Sequence, residues 1–147
     1  MILAESRHFS TNARASARDT SAYPVHARRV TNPRERGLAA EQRAAEHLQA
    51  QGLIVLARNL RCRAGELDLV GLDGDVLAVV EIRQRSRIDF GGAPGSVNRR
   101  KQRKVIRAVR YFLTQEPAWR GLRLRFDVVS IEGAQSITWL KDAFRAT

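Results

Sequence analysis

The spacing of hydrophobic residues changes several times along the chain, and each change predicts an element. Residues 1–32 have no hydrophobic period and are rich in Ala, Ser, Thr and Arg. They read as a disordered basic arm, and their Arg-rich, acid-poor make-up is also that of an organelle transit peptide. From Glu35 to Gln51, Leu38, Ala44, Ala45 and Leu48 recur at helical spacing, with Gly52 as the stop. Glu41 falls inside that stripe, three residues after Leu38 and four before Ala45, so it is expected to point inward. Residues 53–60 read as a strand. Glu66 to Leu72 and Val76 to Gln84 form two more, joined through Asp73-Gly74, a dipeptide favoured in two-residue hairpin turns. A helix is expected from Ser96 to Thr114, with Ser96 as N-cap and Val105, Ile106, Val109, Phe112 and Leu113 on its apolar face. Arg123 to Ile131 and Ser136 to Leu140 complete the set, divided by Glu132-Gly133. The order αβββαββ predicts an α/β sandwich with a mixed sheet, occupying one domain at 33–147 behind the arm at 1–32.

Composition narrows the class. The chain has 147 residues, room for one compact domain, and its 44% hydrophobic and 28% charged content is that of a globular protein. No stretch approaches the roughly 18 apolar residues of a membrane-spanning helix, and no secretory signal core is present, so a soluble cytoplasmic protein without a membrane partner is expected. Cys62 has no second cysteine to pair with, and His8, His26 and His47 show no zinc-ligand spacing. The glycines at 65 and from 91 to 95 follow no phosphate-loop or dinucleotide pattern.

Charge adds a partner class. The net charge is +11, and residues 83–110 alone carry ten basic residues against one acid. Arg83, Arg85 and Arg87 alternate, then Arg99, Arg100, Lys101, Arg103, Lys104, Arg107 and Arg110 crowd the second helix. Such one-sided density suits a polyanion, above all a phosphate backbone. A solvated helix face is the plainer alternative. An anionic membrane fits less well, because the apolar half of that helix is needed for the core.

The candidate chemistry sits where the apolar run Val76-Leu77-Ala78-Val79-Val80 continues directly into Glu81-Ile82-Arg83. A turn at Asp73-Gly74 sets Asp68 opposite Val79 and Glu66 opposite Glu81. Side chains alternate along strands, so Asp68, Glu81 and Arg83 then leave one face of the sheet, with Asp68 diagonal to Glu81. A three-residue loop would instead put the two acids on opposite faces. Converging carboxylates repel unless a proton or cation intervenes, and oxygen-only ligands favour Mg²⁺ or Mn²⁺. Glu41 would supply a third carboxylate, and Arg83 could stabilise developing negative charge during phosphodiester hydrolysis. Equally open on spacing alone is a structural role, in which Asp68 and Glu81 pair with Arg61, Arg63 or Arg85.

A series of short strings adds a family resemblance: Gly37 with Glu41 and Ala45; Arg58-Asn59-Leu60-Arg61; Gly65-Glu66-Leu67-Asp68-Leu69-Val70; Val80-Glu81-Ile82-Arg83 with Arg85; Gly91-Gly92-Ala93 with Ser96-Val97; Lys101-Gln102; Arg125-Phe126-Asp127-Val128-Val129; and Trp139-Leu140-Lys141-Asp142-Ala143-Phe144. In order and spacing they resemble the YraN-type bacterial proteins, a largely uncharacterised group with a restriction-endonuclease-like (PD-(D/E)XK) fold similar to archaeal Holliday junction resolvases. The likeness runs from about Gly37 to Phe144. It implies an αβββαβ(β) core with a mixed central sheet flanked by helices. The signature of that fold is an acid on one strand and Glu-X-Lys on the next. Asp68 matches the first acid, Glu81 the second, and Glu41 an additional acid on the preceding helix.

Arg83 departs from the signature, standing where the motif has Lys. Lysine can shed a proton at a shifted pKa, whereas arginine stays charged and offers a planar fork. The resemblance implies a Mg²⁺- or Mn²⁺-dependent endonuclease acting on nucleic acid, DNA ahead of RNA, on branched or repair intermediates. The alternative it leaves is a nucleic-acid-binding module without turnover, with a protein-interaction adaptor as a third class. Arg85, Arg99, Arg100, Lys101, Arg103, Lys104 and Arg107 are the candidate phosphate contacts, and a two-fold homodimer would suit a junction. Gln84 and Asp127 are read as strand residues outside the catalytic set, Asp127 as a partner for Arg125 or Arg123, Trp119 and Trp139 as core or rim, His47 as surface and Cys62 as structural.

Overall fold

The computed structural model describes residues 33–85, 97–134 and 136–146. The basic arm, the Gly91–Gly95 segment and the N-cap expected at Ser96 lie outside the described residues. The elements are α1 (Pro33–Ala50), β1 (Ile54–Cys62), β2 (Gly65–Asp73), β3 (Val76–Arg85), α2 (Arg99–Gln115), a 3₁₀ turn (Pro117–Trp119), β4 (Arg123–Glu132) and β5 (Ser136–Phe144). The expected αβββαββ order is present. The five strands form one mixed sheet in the order β1-β2-β3-β4-β5. Only β3 and β4 run parallel, and α2 is the crossover that a parallel neighbour requires.

Each helix covers one face of the sheet. On α1, Ala40, Ala44, Ala45 and Leu48 pack with Leu53, Leu69, Ala78, Val80, Val129 and Ile131. The small residues let the helix sit close to the sheet. Leu38, expected in this stripe, is 55% exposed; Ala40 takes its place, four residues before Ala44. The helix ends where Gly52 adopts φ +98° and the Leu53 N–H bonds back to the Leu48 carbonyl. On α2, Val105, Ala108, Val109 and Phe112 pack with Leu67, Val70, Leu77, Val79, Phe126, Val128 and Phe144. Ile106 and Leu113 complete this face from partly buried positions. The N-cap of α2 is Asn98, whose Oδ1 accepts the Lys101 N–H at 2.9 Å. With residues buried from both sides, β3 is the central strand that its unbroken apolar run predicts; Val76 to Val80 are all buried.

The β2–β3 hairpin differs from expectation by two residues. Asp73 pairs with Val76 and Leu72 with Leu77, so the turn residues are Gly74-Asp75, with Gly74 at φ +63°. A slip of one residue would have exchanged the faces; a slip of two preserves them. The shared face of Asp68 and Glu81 therefore survives, and continuing the register beyond Leu69↔Val80 sets them directly opposite rather than diagonal. No described helix is long and apolar enough to cross a membrane.

Candidate functional site

Backbone pairing between β2 and β3 stops at Leu69↔Val80. One step further, the Asp68 side chain takes over the ladder: its Oδ2 accepts the Ile82 N–H at 2.9 Å. This bond holds Asp68 against the end of β3. Leu77 and Val79 belong to the cluster under α2, and alternation puts Glu81 and Arg83 on that same face. Glu81 is only 8% exposed. The two carboxyl groups act on each other, and both are shifted. Burial first, then the Asp68 charge, pushes Glu81 up to about 7. Burial raises Asp68 as well, against the lowering effect of the Ile82 bond.

The cation at this pair comes from α2, whose Lys101 Nζ stands 3.2 Å from Glu81 Oε1. Burial lowers the Lys101 pKa, but the charges of Glu81, Asp68 and Glu66 outweigh it and leave the ammonium raised above its usual range. The second turn of α2 approaches closely because Gly65 lies beneath it: a Cβ at Gly65 would meet the Lys104 carbonyl oxygen at 2.9 Å, and the glycine holds φ +153°. Beside the pair, Arg61, Cys62, Gly65, Glu66, Lys101 and Lys104 line an open pocket of about 330 Å³. The outer face of α2 carries Arg99, Arg100, Arg103, Lys104 and Arg107, all exposed.

Other expected residues fall elsewhere. Glu41 is half-buried on α1, which packs on the opposite face of the sheet; its Oε2 is buried without a hydrogen-bond partner. The charges of Lys101 and Glu66 act on Asp68, and those of Asp68 and Lys101 on Glu81. Among the described residues no three His, Cys, Asp or Glu are grouped closely enough to hold a metal. The site thus gathers two carboxylates and a lysine rather than three carboxylates. Arg83 is partly buried, with Nη1 also unpartnered. Arg85 is half-buried at the strand end, where Gln84 Nε2 donates to the Arg36 carbonyl at 3.4 Å. Of the arginines considered as partners for the acids, Arg61 pairs with Glu66 at 3.5 Å.

Asp127, fully buried, is held by both Arg125 Nε and Nη2 at 2.8 Å, by Trp139 Nε1 at 3.0 Å and by the Asp142 N–H at 2.9 Å. Arg125 also bonds Asp73, which Lys141 joins at 2.9 Å. This network ties β5 across β4 to the hairpin and is structural. His47 bonds the Gln51 side chain just past the end of α1, at 2.8 Å on the surface. Cys62 is half-buried and packs against the α2-side core.

Residues 40–131 match the model of "Uncharacterised protein family UPF0102". The chain belongs to the UPF0102 family. It is 51% identical over 112 residues to a UPF0102 protein of Pseudomonas entomophila (strain L48), covering 74% of this chain and 91% of that one. A UPF0102 protein of Pseudomonas putida (strain GB-1) is 48% identical, covering 78% and 97%, and one of Halorhodospira halophila is 47% identical, covering 78% and 90%. This is the YraN-type family that the sequence strings resemble. The UPF0102 match includes Glu41, Asp68, Glu81, Arg83 and Lys101.

The donor set at Asp68 and Glu81 fits Mg²⁺ or Mn²⁺. Two oxygen-only carboxylates are buried side by side and raised in pKa, so the site lacks positive charge even with Lys101 present. Mg²⁺ commonly takes one or two protein carboxylates and fills its other positions with water and substrate phosphate.

Proposed function

We propose that this UPF0102 protein binds nucleic acid through a nuclease-type fold and acts as a Mg²⁺- or Mn²⁺-dependent endonuclease on DNA, on branched or repair intermediates. The observation that carries this reading is the buried Asp68–Glu81 pair at the end of β3, beneath the most basic part of the chain. Structural acids are rarely left repelling each other; a site that must receive a cation needs that charge deficit. A divalent ion bound there supplies charge neutralisation at the phosphate and activation of a water. The chain's own residues do the rest. Asp68 and Glu81 hold the cation, the core around Val79 and Leu67 keeps bulk water from one side, and Arg83 offers its guanidinium to phosphate oxygens. Arg99, Arg100, Arg103, Lys104 and Arg107 draw in and orient the backbone without reading sequence.

Arg83, standing where the nuclease signature has lysine, favours a second reading: binding of metal and nucleic acid without cutting. One experiment separates the two. Four-way junction, flap and single-stranded DNA are incubated with Mg²⁺ or Mn²⁺ and wild type, Asp68→Ala or Glu81→Ala. Cutting by wild type that both variants lose is the expected result. Binding without cutting supports the second reading, cutting that persists in both variants refutes the assignment of the acids, and absence of any binding at low salt points to a protein-interaction role.

A further inference from the structure

We propose that Lys101 is the working lysine of this site: its ammonium holds the cation position at Glu81 until a divalent ion displaces it, and then serves the phosphate. This rests on the reading of Asp68 and Glu81 as cation ligands. Three features of the chain converge on it. First, Lys101 is the basic side chain found in ion contact with Glu81, at 3.2 Å, whereas the neighbouring Arg99, Arg100, Arg103 and Lys104 are exposed. Second, its backbone is fixed: Asn98 Oδ1 caps the Lys101 N–H at 2.9 Å, and the adjacent Gln102 Nε2 bonds the Val97 carbonyl at 2.7 Å. Third, the Gly65 backbone accepts the α2 turn at a distance that a Cβ would close, so the helix is seated where Lys101 reaches the acids. Lys101 also lines the basic pocket of about 330 Å³ beside the pair, together with Lys104 and Arg61.

One monovalent ammonium on one carboxylate oxygen leaves most of the lone pairs of Asp68 and Glu81 unused. Asp68 and Glu81 would together hold a divalent ion, whose charge would release the Lys101 ammonium from Glu81. The Lys101 stem is long enough, and at 39% side-chain exposure open enough, to swing toward the pocket, where a non-bridging phosphate oxygen can accept its N–H. Lys101 thereby supplies from the helix a flexible ammonium for the phosphate, a charge contact rather than a base, beside the planar guanidinium of Arg83.

The test is calorimetric titration of MnCl₂ into the full chain at pH 8.5, comparing wild type with Lys101→Met and Lys101→Arg, the fold of each checked by urea denaturation. Removing the competing ammonium is expected to tighten Mn²⁺ binding about tenfold in Lys101→Met while Lys101→Arg stays near wild type, and the same Met variant is expected to bind a four-way junction more weakly than wild type at saturating Mn²⁺. Folded Lys101→Met with unchanged or weaker Mn²⁺ affinity would overturn the proposal, as would undiminished junction binding. If Mn²⁺ binding tightens and junction binding falls but no variant cuts DNA, the role of Lys101 stands and the hydrolytic function alone fails. No Mn²⁺ uptake by any form would remove both.

Discussion

Replacing Glu81 with Gln is expected to stabilise the protein at pH 8 and to leave it nearly unchanged at pH 4. Burial and then the Asp68 charge move the Glu81 carboxyl from 4.5 to about 7 in the folded chain. An acid with a folded pKa above its unfolded one binds its proton more tightly when folded. Its ionisation therefore costs stability as pH rises from the unfolded value of 4.5 through the folded value of about 7, and below that window the cost is absent. At about 1.4 kcal/mol per pKa unit, the full displacement is worth about 3 kcal/mol. The Lys101 ion pair is already counted in it, since it pulls the Glu81 value down. Glutamine keeps the shape of the protonated acid and cannot ionise. Urea unfolding of wild type and Glu81→Gln, followed by circular dichroism at both pH values, gives the two free energies directly. The difference between the variant and wild type should be about 3 kcal/mol larger at pH 8 than at pH 4. A variant equally or more destabilised at pH 8 would refute the reasoning, because the attraction to Lys101 would then outweigh burial and repulsion.

Three other outcomes follow from the same structure. Asp127→Ala leaves the Arg125 Nε–H, the Trp139 indole N–H and the Asp142 N–H without their acceptor, Arg125 keeping only its bond to Asp73, and should cost about 3 kcal/mol in urea unfolding; a loss under about 1 kcal/mol would show that water replaces the carboxylate. Gly65→Ala sets a Cβ against the Lys104 carbonyl oxygen from a φ that side chains avoid, and should cost about 2 kcal/mol by the same assay, whereas Gly74→Ala meets no neighbour and pays only for its turn conformation. Replacing Arg103 and Lys104, both exposed on α2, with Ala should lower the slope of log affinity for duplex DNA against log salt by about 2, as two phosphate contacts release fewer counterions; an unchanged slope would take the outer face of α2 out of the interface.

How much of this was legible in the sequence depended on which geometric quantity each residue required. The pairing of Asp68 with Glu81 needs only strand parity, and parity survived a turn that moved from Asp73-Gly74 to Gly74-Asp75. The buried run Val76 to Val80 announced the central strand for the same local reason. Glu41 and Leu38 needed the rotation of α1 on the sheet, which three-and-four spacing leaves uncertain by one helical position; Ala40 took the inward place, and Glu41 joins no metal-holding group of side chains among the described residues. Lys101 needed the height at which α2 crosses β3, a tertiary quantity that no local pattern contains. A signal was nevertheless present: Lys101 lies four residues before Val105 and eight before Val109, on the buried stripe of α2 rather than on its outer face. The Arg125–Asp127 pair was legible from its two-residue spacing on one strand, whereas the partners that close the network, Asp73, Trp139 and Asp142, come from distant parts of the chain.

The most direct measurement is anomalous diffraction from crystals of the protein grown with Mn²⁺. A single strong peak bridging the carboxylates of Asp68 and Glu81, with the Lys101 ammonium withdrawn from Glu81, is the expected result. Mn²⁺ absent from that pair at saturating concentration, with Lys101 still seated on Glu81, would contradict the central claim that these two acids exist to receive a divalent cation.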